Sequence, residues 1–139
     1  MRMQNRYLFK AKRIKDGQWV EGAFYIEPYT DCCYIIQWNS TGLGFNEFIE
    51  VDGETICQCT GLKDKNGNLI WENDIVAYWD SYSTESGLAE ADCIGKVVWD
   101  DETISFQVTN RLSAESYEVL GDECSVIGNV FDNPELLEE

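Results

Sequence analysis

The chemistry open to this 139-residue chain is bounded first by a missing side chain, because the sequence contains no histidine. That removes the commonest general base, the Ser-His and Cys-His nucleophile pairs, and the commonest zinc and iron ligand. Enzymatic chemistry would have to rest on carboxylates, lysine, tyrosine or cysteine. Of the six cysteines, Cys57-Gln58-Cys59 places two thiols on one face of a strand and Cys32-Cys33 places two on opposite faces. A four-cysteine zinc site needs two pairs, usually spaced Cys-x-x-Cys, and neither pair has that spacing. Set among apolar residues, these read as buried, unreactive thiols.

Asp100-Asp101-Glu102 and Asp64-Lys65-Asn66-Gly67 superficially suggest calcium loops. In the second, the glycine comes too early for an EF-hand and a lysine interrupts the ligands, so both read as solvated turns. Gly42-Leu43-Gly44 lacks the third glycine and the Lys-Ser/Thr of a P-loop and reads as a turn. Trp19, Tyr25, Tyr29, Trp38, Trp71, Tyr78, Trp79 and Trp99 could stack bases, but no lysine or arginine is interleaved to track a phosphate backbone. They read as core and subunit contact. Among 26 acidic residues, a carboxylate pair chosen by spacing alone would be chance. No catalytic residue, metal ligand, cofactor-binding residue or cofactor is therefore nominated.

The elements that position these side chains are organised around Thr60 to Val76. Asn66-Gly67 lies between a polar arm and an apolar one, and both residues accept positive φ, which predicts a hairpin closed by a type I′ turn. Leu69-Ile70-Trp71 then leads through a second tight spot, Glu72-Asn73-Asp74, into the strand opened by Ile75-Val76, with Asn73 left-handed. This stretch resembles the signature of the YopX family of phage- and prophage-encoded proteins, whose members run Thr-Gly-Leu-x-Asp-Lys-Asn-Gly and then Glu-Gly-Asp-Ile-Val. Asn73 stands where the family usually has glycine. Tyr7 to Ile14 with Gly17 to Gly22 resembles the start of one branch, and Val126 to Leu137 resembles the usual end. The resemblance covers nearly the whole chain. It implies a small phage or prophage accessory protein and makes a homo-oligomer plausible, and it carries over no activity and no catalytic residue.

With 44% hydrophobic and 13% aromatic residues, the chain can bury a core of its own. No window approaches a membrane span and no apolar signal core follows Met1, so a soluble, cytoplasmic protein with reduced thiols is expected. Net charge is −16, yet six of the ten basic residues, Arg2, Arg6, Lys10, Lys12, Arg13 and Lys15, lie in the first fifteen positions. The remainder carries four basic against 26 acidic side chains, a body that repels phosphate backbones, so no direct nucleic-acid binding is expected.

Patterning along the rest of the chain is mostly that of strands. Arg6 to Ile14 alternates, Lys15-Asp16-Gly17 turns, and Gln18 to Glu27 returns with Trp19, Phe24 and Ile26 as core candidates and a bulge at Gly22. Cys32 to Trp38 reads as a strand buried on both faces, although its periodicity alone also allows helix, Asn39 to Gly44 as a loop, Glu47 to Val51 as another short strand, and Thr55 to Cys59 as the lead into the central hairpin. After the central hairpin, Asp74 to Trp79 is a strand and Asp80 to Asp92 a mobile surface loop. Ile94 to Trp99 and Thr103 to Thr109 form a second hairpin, Arg111 to Gly121 fits a helical turn or an irregular strand, and Cys124 to Phe131 closes. Asn133-Pro134-Glu135 predicts a short helical turn with asparagine as cap. The expected fold is all-β and mostly antiparallel, with an N-terminal β lobe at 1–59, a small SH3-like barrel at 60–139 and little helix.

The expected function is a non-enzymatic, self-associating binding module. Its basic first strand would be an exposed edge that meets the acidic body of another copy. Two alternatives stay open: an acidic DNA mimic that inhibits a basic, nucleic-acid-handling host or phage protein, and a carboxylate-dependent enzyme of unknown reaction, with Asp74 as the residue to test.

Overall fold

Period-two patterning becomes strands along most of the chain in a computed structural model, which describes residues 4–38, 46–109, 117–118 and 121–138. In chain order the strands are β1 (Phe9–Lys12), β2 (Trp19–Ile26), β3 (Cys33–Trp38), β4 (Asn46–Val51), β5 (Cys57–Lys63), β6 (Leu69–Trp71), β7 (Asp74–Thr84), β8 (Gly87–Asp100), β9 (Ser105–Thr109), β10 (Tyr117–Glu118) and β11 (Cys124–Asn129). Helix among the described residues is limited to 3-10 turns at Asn5–Tyr7, Gly53–Thr55, Gly121–Glu123 and Pro134–Leu137. The strands make two sheets, ordered β4-β3-β2-β1-β5-β6 and β10-β9-β8-β7-β11. The class is the antiparallel β architecture expected. Both sheets are open among the described residues, with no closed barrel. The chain divides into two compact units, Met1–Gly61 and Leu62–Glu139, the boundary falling within β5.

In the first unit β2 serves two partners. It pairs with β1 up to Gly22 (Phe9 opposite Gly22, Ala11 opposite Val20) and with β3 from Ala23 onward (Tyr25 opposite Tyr34). Glycine at 22 marks a close approach and not the expected bulge: the register with β1 is regular, and a Cβ there would collide with the Ile36 carbonyl oxygen. The core is Ala11, Ile35 and Val51, packed by Phe9, Val20, Phe24, Cys33, Ile49 and Ile56. Arg13 bridges Val51, and the Ile14 N–H donates to the Glu50 carbonyl at 3.1 Å, which ties the end of β4 back to the chain leaving β1.

Three expectations change here. β1 is not an exposed edge, because β2 pairs with one side of it and β5 with the other. β3 has one core face: Ile35 is fully buried while Tyr34 and Ile36 are half-buried on the opposite side. Ile26 is 50% exposed, because only the strand positions in phase with Val20 and Phe24 that also lie over Ile35 gain burial.

In the second unit Ile70, Val76, Val97, Val108 and Cys124 form the core, with Tyr78, Phe106 and Val126 packed against them. The expected loop at 80–92 is instead a continuation of the β7–β8 hairpin, with unbroken pairing from Ile75 opposite Lys96 to Thr84 opposite Gly87. A two-stranded ladder satisfies its own backbone groups without apolar burial, which is why hydrophobic patterning does not reveal it. Gly87 starts β8 at φ 123°. Among the described residues, 74–78 of β7 pair with β11 and 96–100 of β8 pair with β9. Of the ambiguous 111–121 segment, β10 is described and pairs with β9; most of that segment, like Asn39 to Gly44, lies outside the described residues. Pro134 does open a turn of 3-10 helix, but the Asn133 side chain does not cap it: its Oδ1 accepts the Asn129 N–H at 3.2 Å.

Candidate functional site

The densest polar construction in the described chain is built on Asp64, at the end of β5 where the hairpin turns. The Asp64 N–H donates to the Asn68 carbonyl at 2.8 Å, and the Gly67 N–H donates to the Asp64 carbonyl at 3.0 Å. Gly67 has φ 84° while Asn66 keeps a negative φ, so a three-residue loop with a left-handed glycine replaces the expected two-residue type I′ turn. The reason is the Asp64 side chain. Its Oδ1 accepts the N–H groups of Asn66 and Asn68, both at 2.9 Å, and this Asx-type arrangement favours the longer loop. Its Oδ2 accepts the Val126 N–H at 2.9 Å, and the Lys65 N–H donates to the Cys124 carbonyl at 3.0 Å. The outer side of β11, an edge strand in its sheet, is thus covered by the turn.

Asp64 is only 4% exposed, so it is not the solvated turn residue its neighbours imply. Burial pushes its pKa up, but the backbone donors of Val126, Asn68 and Asn66 outweigh burial and hold it below the ordinary carboxylate value. An anion with three N–H donors already on its oxygens is a structural clamp, poorly suited to accept a substrate proton.

Asn73 and Asp74 build the second tight spot. Asn73 is left-handed at φ 70°, as expected, with its N–H on the Val97 carbonyl at 2.8 Å and its carbonyl taking the Val130 N–H at 3.0 Å. Asp74, 3% exposed, accepts the Trp71 N–H on Oδ2 at 2.8 Å. The Cys124 thiol nearby is pushed up by burial first, then by Asp64, Asp122 and Asp74, with Lys65 opposing. The Cys33 thiol is raised by burial and then by Cys32, Asp31 and Asp52. Both stay protonated at neutral pH, the opposite of an activated nucleophile. All six cysteines are free thiols, and Cys57 and Cys59 are both buried. Among the described residues no three acidic or cysteine side chains are grouped to hold a metal ion.

The acidic turn after β8 spends its carboxylates locally: Asp100 accepts the Glu102 N–H at 2.9 Å, and Asp101 accepts the Trp99 indole N–H at 2.8 Å. The aromatics singled out by sequence are dispersed. Trp71 is in the core and Tyr78 packs on it, Trp99 stands edge-on to Phe106 with centroids 5.1 Å apart, and Trp79 is 58% exposed. Trp19 lies on the outer face of the first sheet, with the ammonium groups of Lys10 and Lys12 at 4.8 and 5.4 Å from its ring centroid.

That same outer face holds the grouping the sequence reading missed. Tyr25, Tyr34 and Phe48 run across β2, β3 and β4, with centroids 6.3 Å apart for Tyr25 and Tyr34 and 6.5 Å for Tyr34 and Phe48. Tyr34 and Phe48 were not nominated; the signal for them is their phase, since Tyr34 and Ile36 alternate with the buried Ile35. At the tip of the β2–β3 hairpin, Tyr29 is 95% exposed. Its turn is stapled by Glu27, whose Oε2 accepts the Tyr29 N–H (3.1 Å), the Thr30 N–H (2.8 Å) and the Thr30 hydroxyl (2.7 Å). No described helix is long and apolar enough to cross a membrane.

No curated protein matches the chain. Among solved structures it is similar to the crystal structure of protein EF1440 from Enterococcus faecalis, at 26% identity and a TM-score of 0.53, over 94% of this chain and 96% of that one. Residues 4–138 match the family described as YopX protein, from before β1 to beyond the last 3-10 turn, and by that match the chain belongs to the YopX family.

Proposed function

We propose that this protein is a non-enzymatic binding module, a phage or prophage accessory acting in the host cytoplasm, that associates with copies of itself through complementary charge. The observation that carries this reading is segregation of charge. The first unit holds six basic and eight acidic residues, with all six basic ones at positions 2–15, whereas the second holds four basic against eighteen acidic. Such asymmetry speeds and orients encounters between unlike patches of two copies. Because β1 is paired on both sides, the basic segment cannot dock by adding to a sheet edge, and contact has to be made by side chains.

The buried carboxylates support a non-enzymatic role, since Asp64 and Asp74 are engaged by backbone donors. Light scattering at micromolar concentration tests the reading: a mass above that of one chain at low salt, falling as salt screens the charges, is expected. A single-chain mass at both salt concentrations overturns it. A specific turnover abolished by Asp74→Asn in a folded variant would overturn the non-enzymatic part.

A second reading, a DNA mimic, is favoured by the eighteen acidic residues of the second unit. It expects capture of a nucleic-acid-handling protein at low salt and its release at high salt.

A further inference from the structure

We infer that the outer face of β2, β3 and β4 is the docking surface for the basic N-terminal segment of a second copy of this chain. The inference rests on the self-association proposed above and names the surfaces that meet. The receiving surface is defined by register. Tyr25 lies opposite Tyr34, Tyr34 opposite Glu50, and Ile36 opposite Phe48, so these side chains share one face, turned away from Ile35 and Val51. Tyr25 is 41% and Phe48 59% exposed, and Tyr29 stands at the hairpin tip on the turn that Glu27 staples. Among the described residues, the exposed aromatics Tyr25 and Phe48 lie on this face and Tyr29 at its hairpin, whereas the exposed Ile26 is in phase with Phe24 on the other side. Rigidly presented tyrosines of this kind are the usual anchors of an interface.

The sign of the surface follows from sequence. Between Lys15 and Lys63 the chain has no lysine or arginine, and all eight acidic residues of the first unit fall in that interval. Glu50 lies on the face itself and Glu27 at its tip. The Tyr34 hydroxyl registers the same environment: burial first, then Cys32, Glu50 and Glu27 push its pKa up. Aromatic faces rimmed by carboxylates attract a guanidinium or ammonium group through the ring quadrupole and through charge-assisted hydrogen bonds.

The matching cations are in the same chain. Arg6 and Lys15 are exposed; Arg6 donates to Gln4 and to the Tyr7 hydroxyl, and Arg13 is paired with Asp16 at 3.3 Å. Among the described residues of this segment Arg6 and Lys15 are the most exposed cations, the Arg6 guanidinium lying 4.9 Å from the Tyr7 ring centroid. Because one chain supplies both a basic segment and an aromatic surface whose own strands β2–β4 carry no lysine or arginine, the ammonium groups of Lys10 and Lys12 lying beside it over Trp19, the complement is a second copy. The contact is heterologous, head of one copy to face of the next, and closes into a ring only if its rotation permits.

Two variants and their mixture test this. Tyr25→Ser/Phe48→Ser removes the face and Arg6→Glu/Lys15→Glu reverses the head, with circular dichroism confirming that each is folded. Each alone is expected at single-chain mass by sedimentation at micromolar concentration. The two mixed are expected to recover a two-chain species, because each retains the half the other lacks. Glu50→Lys, at an exposed strand position, provides a gentler face variant should the serine pair unfold, with the same loss of assembly expected. Wild-type mass retained by the folded face variants overturns the inference while leaving self-association intact. Failure of the mixture to assemble overturns the head-to-face contact. A wild type that is single-chain throughout overturns both readings. A single-chain wild type that binds an arginine-rich peptide through Phe48 assigns the face to a foreign basic segment, and the second-copy assignment falls.

Discussion

Two carboxylates, one in each unit, close a turn with three hydrogen bonds apiece, and they differ in reach. Glu27 gathers donors from Tyr29 and Thr30, no more than three residues away, at the surface. Asp64 gathers Asn66 and Asn68 from its own turn and Val126 from 62 residues further on, in the interior. Both hold a pKa below the usual value: Glu27 chiefly through the Thr30 hydroxyl against partial desolvation, Asp64 through backbone donors against burial. The local staple orders a short loop and leaves Tyr29 facing solvent. The long-range clamp is spent on the fold, joining the central hairpin to the closing strand. The most motif-like stretch of the chain is therefore architectural, and the aromatic row of Tyr25, Tyr34 and Phe48 lies in the other unit.

The comparison breaks most severely at Asp64. Asp64→Ala leaves three backbone N–H groups short of an acceptor in a buried site and is expected to cost about 3 kcal/mol, measured by urea unfolding. A loss near zero would show that water replaces the clamp. Its depressed pKa also fixes a sign. The stabilisation is complete above the unfolded-state carboxylate pKa and is lost as pH falls through the lower, folded-state value. Asp64→Asn should therefore flatten the acid limb of the stability profile, and an unchanged slope would assign acid sensitivity to other groups.

Asn73 comes next. At φ 70° a β-branched residue is strained, so Asn73→Val is expected to cost about 2 kcal/mol more than Asn73→Gly, read by the same unfolding experiment. Ile104 sharpens the comparison from the other side. It is a β-branched residue at φ 53°, 74% exposed, in the turn before β9. Ile104→Asn relieves that backbone at little loss of burial and should stabilise the protein by about 1 kcal/mol, visible as a raised Tm. The smallest effect is expected at Glu27. Glu27→Gln should leave global unfolding nearly unchanged while the Tyr29 and Thr30 amides exchange faster with solvent. A global loss there as large as that of Asp64→Ala would erase the distinction between local and long-range clamps.

Features set by a few adjacent residues were legible in the sequence. The reversal at Asp64 to Asn68, the left-handed Asn73, the turn at Gly17 and the strands β2, β3, β4 and β11 follow from local sterics and period-two burial. The absence of histidine and the charge segregation are likewise properties of the chain itself. Features that depend on partners distant in sequence were not legible. The turn at Gly67 takes its form from an aspartate that also reaches Val126, β1 is internal because β5 returns beside it, and Asp80 to Asp92 pairs across a ladder that needs no apolar pattern. The aromatic row of Tyr25, Tyr34 and Phe48 exists only once three strands are in register, since strand alternation says which side a residue takes but not which residues of other strands share it. Local steric preference is written residue by residue; backbone pairing and side-chain neighbourhoods are settled when the chain folds back on itself, and in this protein that step decides where its carboxylates are spent and which aromatics face solvent.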